Sequence, residues 1–91
     1  MQLSEAQRRA LELFRSRFNQ SPDWIAQKMG YTGPRAYLAA SNIIQALGDK
    51  GYIGQSVLTG MEPQPFDYVS RLGKYRLTTA GRAALEAQAP R

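Results

Sequence analysis

Side chains that donate and accept hydrogen bonds are concentrated in one stretch of this sequence, from Tyr31 to Ile53. They are spaced between apolar residues, and they comprise Arg35, Tyr37, Ser41, Asn42 and Gln45. Such groups match the base edges in the major groove of DNA, where arginine pairs with guanine and asparagine with adenine. A helix face that is merely solvated is more often filled with lysine and glutamate. We therefore predict a DNA-reading helix, with Arg35 and Asn42 as its leading base contacts.

Each of these residues also has an interpretation that does not involve DNA. Arg35 can simply extend into solvent at the start of the helix. Polar residues such as Ser41 and Gln45 are common on helix surfaces without any function. An aromatic residue at the position of Tyr37 belongs to a core nearly as often as to a binding face.

A second group of candidate residues is basic and lies closer to the C-terminus. Arg71, Lys74 and Arg76 occur within six positions, and the whole chain has 12 basic and 7 acidic residues, giving a net charge of +5. This balance favours a polyanionic partner, so we predict that the three side chains contact DNA phosphates. Lys28 is a further candidate phosphate contact. The alternative is a charged edge strand that prevents aggregation.

Catalytic, metal and cofactor sites are not predicted. The sequence has neither cysteine nor histidine, so thiolate nucleophiles, the commonest general base and the commonest zinc ligands are missing. It also has no glycine-rich phosphate loop and no pair of carboxylates at catalytic spacing. An enzyme is therefore the least favoured class of function.

Two short helices are predicted before the DNA-reading helix. Residues 4–18 form an amphipathic pattern in which Ser4 caps the helix and Gln7 completes a capping box. The apolar positions of that helix are Ala10, Leu11, Phe14 and Phe18. Residues 22–29 form a second helix that is capped by Ser21 or Asp23, ends at Gly30, and presents Trp24, Ile25 and Met29 inward.

The third helix is predicted from its apolar spacing and its end signals. Pro34 suits the first helical turn, and Gly51 suits the residue that follows the last turn. The buried stripe comprises Ala36, Ala40, Ile43, Ile44 and Leu47. Two helices joined by a short turn that contains glycine are typical of a helix-turn-helix.

The C-terminal half predicts strands and one more helix. Residues 52–59 have strand composition, 60–65 form a loop with two prolines, and 66–70 and 74–78 flank a turn at 71–73, as in a hairpin. Residues 79–88 predict a final helix capped by Thr78 or Thr79. The prediction is therefore an α+β winged helix-turn-helix in one domain, residues 1–91, with the helix-turn-helix at 22–50, the wing at 52–78 and the last helix at 79–88.

Some motifs resemble known regulators. The stretches LSEAQRRALELFRSRF, IAQKMGY and ALGDKGYI resemble the DNA-binding domain of LexA-type repressors, and YRLTTAGRAAL resembles the wing and final helix of MarR-type regulators. The resemblance implies that residues 35–47 enter the major groove and that the turn from Arg71 to Lys74 forms the wing tip. Two features depart from it. The recognition segment is about one turn longer than the LexA-type pattern, and residues 60–70 are long and aromatic for a wing.

Two classes of function fit these sequence features best. The first is a cytoplasmic, sequence-specific regulator that binds double-stranded DNA. The alternative is a winged-helix module that binds another protein, for instance through the 60–70 loop. Phe66 and Tyr68 of that loop are expected to pack in the core or between strands, and the alternative is that they form a docking site for a second protein. A homodimer is expected through the first and last helices, although the last helix, rich in alanine, can equally close the core of a monomer. No membrane-spanning segment is predicted, because no apolar run reaches about 18 residues.

Overall fold

The computed structural model describes residues 3–15, 20–57 and 60–88. Within them the chain forms helices and a small sheet in the order α1 (Glu5–Leu13), α2 (Pro22–Lys28), α3 (Ala36–Asp49), β1 (Ile53–Gln55), β2 (Tyr75–Leu77) and α4 (Thr79–Gln88). None of the helices in this described part of the chain is long and apolar enough to cross a bilayer.

The first two helices begin with the caps that the sequence predicts. The Ser4 hydroxyl accepts a hydrogen bond from the Gln7 amide at 3.1 Å, and the Gln7 side chain accepts one from the Ser4 amide at 3.2 Å. Helix α2 begins in the same way, since the Ser21 hydroxyl accepts from the Trp24 amide at 3.2 Å. These bonds satisfy amides that have no partner within the helix.

Helix α1 is shorter than the predicted range of 4–18. It ends at Leu13, and Phe14 and Arg15 form a turn, while residues 16–19, with Phe18, lie outside the described residues. Ala10, Leu11 and Phe14 are buried as predicted. In α2, Ile25 and Met29 are buried, whereas Trp24 is half-buried at the edge of the core.

Helix α3 has the predicted buried face. Ala40, Ile44 and Leu47 are fully buried, and Ala36 and Ile43 are half-buried against them. The helix ends where Gly51 takes a φ of 78°, a left-handed conformation that glycine adopts without a Cβ clash. The Tyr52 amide then donates to the Leu47 carbonyl at 3.0 Å, which directs the chain into β1.

The predicted hairpin between 66–70 and 74–78 is wrong. β2 instead pairs antiparallel with β1, in the register Ile53 to Leu77, Gly54 to Arg76 and Gln55 to Tyr75. The predicted strand at 52–59 is reduced to residues 53–55, and its last two positions, 58 and 59, lie outside the described residues. Single bridges extend the sheet on both sides, from Tyr75 to Gln20 and from Gln55 to Gln64.

Side-chain contacts, rather than a strand ladder, hold the 66–70 segment. The Phe66 ring meets the ring of Tyr75 edge-on, with centroids 4.9 Å apart. The Tyr75 hydroxyl accepts a hydrogen bond from the Ser70 amide at 2.7 Å. Tyr75 is fully buried, and this burial raises the pKa of its phenol. The side chain of Tyr75 thus holds the 66–70 segment in place without the backbone pairing of a hairpin.

The last helix begins and ends as predicted. The Thr78 hydroxyl accepts from the Gly81 amide at 3.0 Å and donates to the Gly51 carbonyl at 2.6 Å, so it caps α4 and ties it to the end of α3. The Glu62 carboxylate adds a second cap, accepting from the Thr79 amide at 2.8 Å and from its hydroxyl at 2.7 Å. Leu85 is buried, so α4 closes the core on the side of α1.

Candidate nucleic-acid interface

The outward face of α3 is open to solvent along its length. At 3.6 residues per turn, this face lies opposite the buried residues of α3. It carries Arg35, Leu38, Asn42, Gln45 and Asp49, and we call these five residues the outward face. Arg35, Leu38, Asn42 and Asp49 are exposed, and Gln45 is half-buried. Arg35 occupies the N-cap position but makes no capping hydrogen bond with its side chain.

Tyr37 lies on the flank of α3 and not on its outward face. The phenol is half-buried and donates a hydrogen bond to the Val69 carbonyl at 3.4 Å. The Arg71 guanidinium lies over the same ring, 5.0 Å from its centroid. The prediction that Tyr37 contacts DNA is therefore corrected, because the chain's own segment from Val69 to Arg71 covers the ring.

Ser41 also lies on this covered flank, one helical turn after Tyr37. Its hydroxyl oxygen is buried without a hydrogen-bond partner. About two turns further on, the Phe66 ring packs directly against Gly48, where it fills the space that a Cβ would need. Ser41 is thus not presented to a ligand, which corrects its assignment as a base contact.

Gln45 remains on the outward face but is partly engaged. Its amide nitrogen donates to the Asp49 carboxylate at 3.1 Å. The glutamine carbonyl stays available as an acceptor. The C-terminal end of the face therefore carries a negative charge, whereas the N-terminal end carries the positive charge of Arg35.

Arg71 and Lys74 are both exposed. The Arg71 guanidinium forms an ion pair of 3.2 Å with Asp23, in the first turn of α2. This pair and the contact with Tyr37 fold the turn at residues 70–73 onto the starts of α2 and α3. The Lys28 ammonium, in the last turn of α2, lies 5.7 Å from the centroid of the Trp24 ring and is exposed.

Arg76 is less exposed than Arg71 and Lys74. It is half-buried, its guanidinium donates a hydrogen bond to the Met61 carbonyl, and its Nε is buried without a partner. Together with Arg82 it adds a positive potential near Glu62, whose pKa is lowered mainly by the hydrogen bonds from Thr79. The prediction that Arg76 contacts phosphate is therefore corrected. Arg76 holds the 60–65 loop against the sheet.

Three residues of this surface were missed at the level of sequence. Leu38 belongs to the outward face because it lies three residues after Arg35 and four before Asn42, a spacing that the sequence already contains. Asp49 follows Gln45 at the same spacing. Asp23 could not be found in this way, because 48 positions separate it from its partner Arg71.

The aromatic residues of the long segment divide between core and surface. Phe66 packs with the core as predicted. Tyr68 is 74% exposed, so the expectation that it packs inside is wrong. Leu72, at the tip of the 70–73 turn, is 91% exposed. No group of three or more carboxylates able to hold a metal ion occurs in the described ranges.

Solved structures share this arrangement. A glycine-to-lysine variant of MepR from S. aureus aligns with a TM-score of 0.68 at 21% identity, covering 93% of this chain and 55% of that chain. A glutamine-to-proline variant of MepR from a multidrug-resistant S. aureus clinical isolate aligns with a TM-score of 0.66 at 23% identity, covering 93% and 54%. MepR is a MarR-family winged-helix regulator. This chain spans about half its length.

These likenesses establish the fold. The chain is an α+β winged helix with a helical core and a two-stranded antiparallel wing, as predicted. No family model matches the sequence, and no curated protein is significantly similar to it. The resemblance to LexA-type repressors is not confirmed.

Proposed function

We propose that this protein is a transcription regulator that binds double-stranded DNA, with α3 in the major groove. The observation that carries the proposal is the open outward face of α3. It presents the Arg35 guanidinium and the Asn42 amide to solvent, while the chain's own 66–71 segment covers only the neighbouring flank. The winged-helix fold supports the same use, since the second helix of a helix-turn-helix reads base edges with its N-terminal residues.

The roles of the side chains follow from their chemistry. Arg35 pairs with guanine and Asn42 with adenine, each pair contributing about 1–3 kcal/mol of discrimination. The Gln45 carbonyl accepts a hydrogen bond from a base amine. Lys28, Arg71 and Lys74 contact phosphates, which position the protein without reading sequence.

A gel-shift titration with random duplex DNA across a salt series tests the proposal. We expect binding whose logarithmic affinity falls linearly with the logarithm of salt concentration, with a slope of about −0.9 per phosphate contact. Arg35→Ala and Asn42→Ala should then lower the preference for the best duplex over random duplex without changing the fold. Absence of duplex binding at low salt would overturn the proposal.

A second function is favoured by the exposed apolar residues of the long segment. Tyr68 and Leu72 lie at or near the 70–73 turn, and both are mostly exposed to solvent. Exposed aromatic and apolar residues of this kind can become buried anchors when a protein partner binds. In this alternative the winged helix binds another protein through its 60–70 loop and turn. Retention of a protein partner by the wild type, lost on Tyr68→Ala and Leu72→Ala but kept on Asn42→Ala, would favour it.

Dimerisation through α1 and α4 forms part of the proposal. Winged-helix regulators generally bind two half-sites about 34–36 Å apart. Leu85 of α4 is used for the core, so the surface left for a second copy comprises the exposed residues Ala80, Ala83 and Ala87. Sedimentation equilibrium of the wild type and of an Ala83→Glu variant tests this surface, and a monomer in both would exclude it.

A further inference from the structure

We infer that Leu38 reads the C5-methyl group of a pyrimidine in the major groove, an inference that rests on the proposed function and adds a specificity determinant to it. Leu38 is 54% exposed and lies on the outward face of α3. The other large aliphatic residues of the helix, Ile43, Ile44 and Leu47, are buried or half-buried. Leu38 thus contributes less to the core than any of them.

The position of Leu38 directs it toward base edges if α3 enters the groove with its outward face. Arg35 lies one turn before it and Asn42 one turn after it, both on the same face. The rise of an α-helix is 1.5 Å per residue, so Leu38 and Asn42 are about 6 Å apart along the axis. Base pairs are stacked about 3.4 Å apart, so the two side chains reach positions within about two steps of each other.

The chemistry of the groove restricts what an isobutyl group can contact. Base edges there are hydrogen-bond donors and acceptors, with a single apolar group, the methyl of thymine. Cytosine methylated at C5 presents the same methyl at the same place. Covering a polar edge with leucine removes its water without replacing the hydrogen bonds, which costs free energy. Covering a methyl group is favourable. The preferred site therefore contains a C5-methyl within about two steps of the adenine read by Asn42.

The test begins with a duplex selected from a random pool by the wild-type protein. Each thymine is replaced in turn by deoxyuridine, which removes only the methyl group. We expect one or two replacements to weaken wild-type binding about fourfold, which corresponds to about 0.8 kcal/mol for one buried carbon. At the sensitive position, Leu38→Ala should bind the thymine and deoxyuridine duplexes equally.

Two further comparisons sharpen the result. Val57→Ala is the matched control, because Val57 is 53% exposed and lies outside α3, and it should keep the fourfold preference. Duplexes with cytosine or 5-methylcytosine at the sensitive position show whether the methyl group is read only on thymine. A preference for 5-methylcytosine means that the methyl is read in either base pair, and its absence restricts the reading to thymine.

The outcomes separate this inference from the proposed function. Wild-type binding that is insensitive to every deoxyuridine replacement would overturn the role of Leu38 and leave DNA binding intact. A methyl preference that survives in Leu38→Ala would also overturn it. If no duplex can be selected at low salt, the proposed function fails and the inference fails with it. Urea unfolding of Leu38→Ala verifies that the variant is folded, since a half-exposed side chain should contribute little to stability.

Discussion

Arg71 and Asp23 form an ion pair of 3.2 Å although 48 residues separate them in the sequence. The pair joins the 70–73 turn to the first turn of α2. Both side chains are more than half exposed, so the pair itself stabilises the fold by at most about 1 kcal/mol. We expect an effect of similar size on DNA binding, because the Asp23 carboxylate occupies a guanidinium that we assign to phosphate.

Replacing Asp23 should therefore strengthen DNA binding. In Asp23→Asn the competing charge is gone, and we expect affinity for random duplex to rise by up to about fivefold at low salt, the equivalent of about 1 kcal/mol. Electrophoretic or anisotropy titrations measure it. Arg71→Ala should have the opposite effect, and adding Asp23→Asn to Arg71→Ala should give a smaller gain than in the wild type. Unchanged affinity in Asp23→Asn would show that the pair does not limit Arg71.

Lys74 and Arg76 should behave differently when each is replaced, although they are two positions apart. Lys74→Ala removes an exposed cation and should reduce the salt slope of DNA binding by about 0.9 with little change in stability. Arg76→Ala removes the donor to the Met61 carbonyl and should lower the free energy of unfolding by about 0.5–1.5 kcal/mol while leaving the slope unchanged. Urea unfolding and salt titrations of both variants measure the contrast. Equal loss of slope in the two would restore Arg76 to the DNA-binding surface.

Gly48→Ala should destabilise the protein even though alanine is the better helix former. Alanine in a helix interior is favoured over glycine by about 0.8–1 kcal/mol, but here its Cβ would meet the Phe66 ring. Overpacking costs about 1–3 kcal/mol, so we expect a net loss of up to about 2 kcal/mol in urea unfolding. In a Phe66→Leu background the same substitution should be neutral or stabilising. Stabilisation by Gly48→Ala alone would contradict the contact.

Glu62 should make the stability of the protein depend on acidic pH. Hydrogen bonds from the Thr79 amide and hydroxyl lower the pKa of this carboxyl in the folded state. The stabilisation that Glu62 gives the folded state is therefore fully present above the pKa of the carboxyl in the unfolded chain, about 4.3. It is lost as the pH falls through the lower pKa of the folded state. Urea unfolding as a function of pH should show a difference between wild type and Glu62→Gln that shrinks in this window. Glu86→Gln, an exposed carboxylate of α4, is the matched control for loss of charge. A constant difference down to the lowest pH would exclude the titration of Glu62.

The helices were predictable from sequence because their signals are local. The side-chain caps, the terminal glycines and the apolar spacing all act within a few residues, and α2, α3 and α4 were placed within one or two residues of their bounds. The partner of β2 was not predictable in this way. Residues 66–70 have strand composition, but the ring and hydroxyl of Tyr75 contact Phe66 and Ser70. The backbone amide and carbonyl of Tyr75 are bonded to Gln20 instead.

Sequence spacing predicted which residues of the candidate site share a helix face, but it did not predict which distant segments contact them. Helical spacing placed Arg35 and Asn42 on an exposed face, and both are exposed. The same spacing could not separate the outward face from the flank that holds Tyr37 and Ser41, because a segment about 30 positions away covers that flank. The partner of Arg76 is likewise set by a distant loop. Contact with DNA remains a prediction for Arg35 and Asn42.

The bridges at Gln20 and Gln64 have a consequence for how copies of the chain can associate. The amide and carbonyl of Tyr75 are both bonded to Gln20, at 2.8 and 2.9 Å, and those of Gln55 are both bonded to Gln64, at 2.7 and 2.9 Å. At these two positions the edges of the sheet therefore have no unpaired backbone groups to which another strand could bond. A strand from another copy could therefore be added at either position only after Gln20 or Gln64 had been displaced.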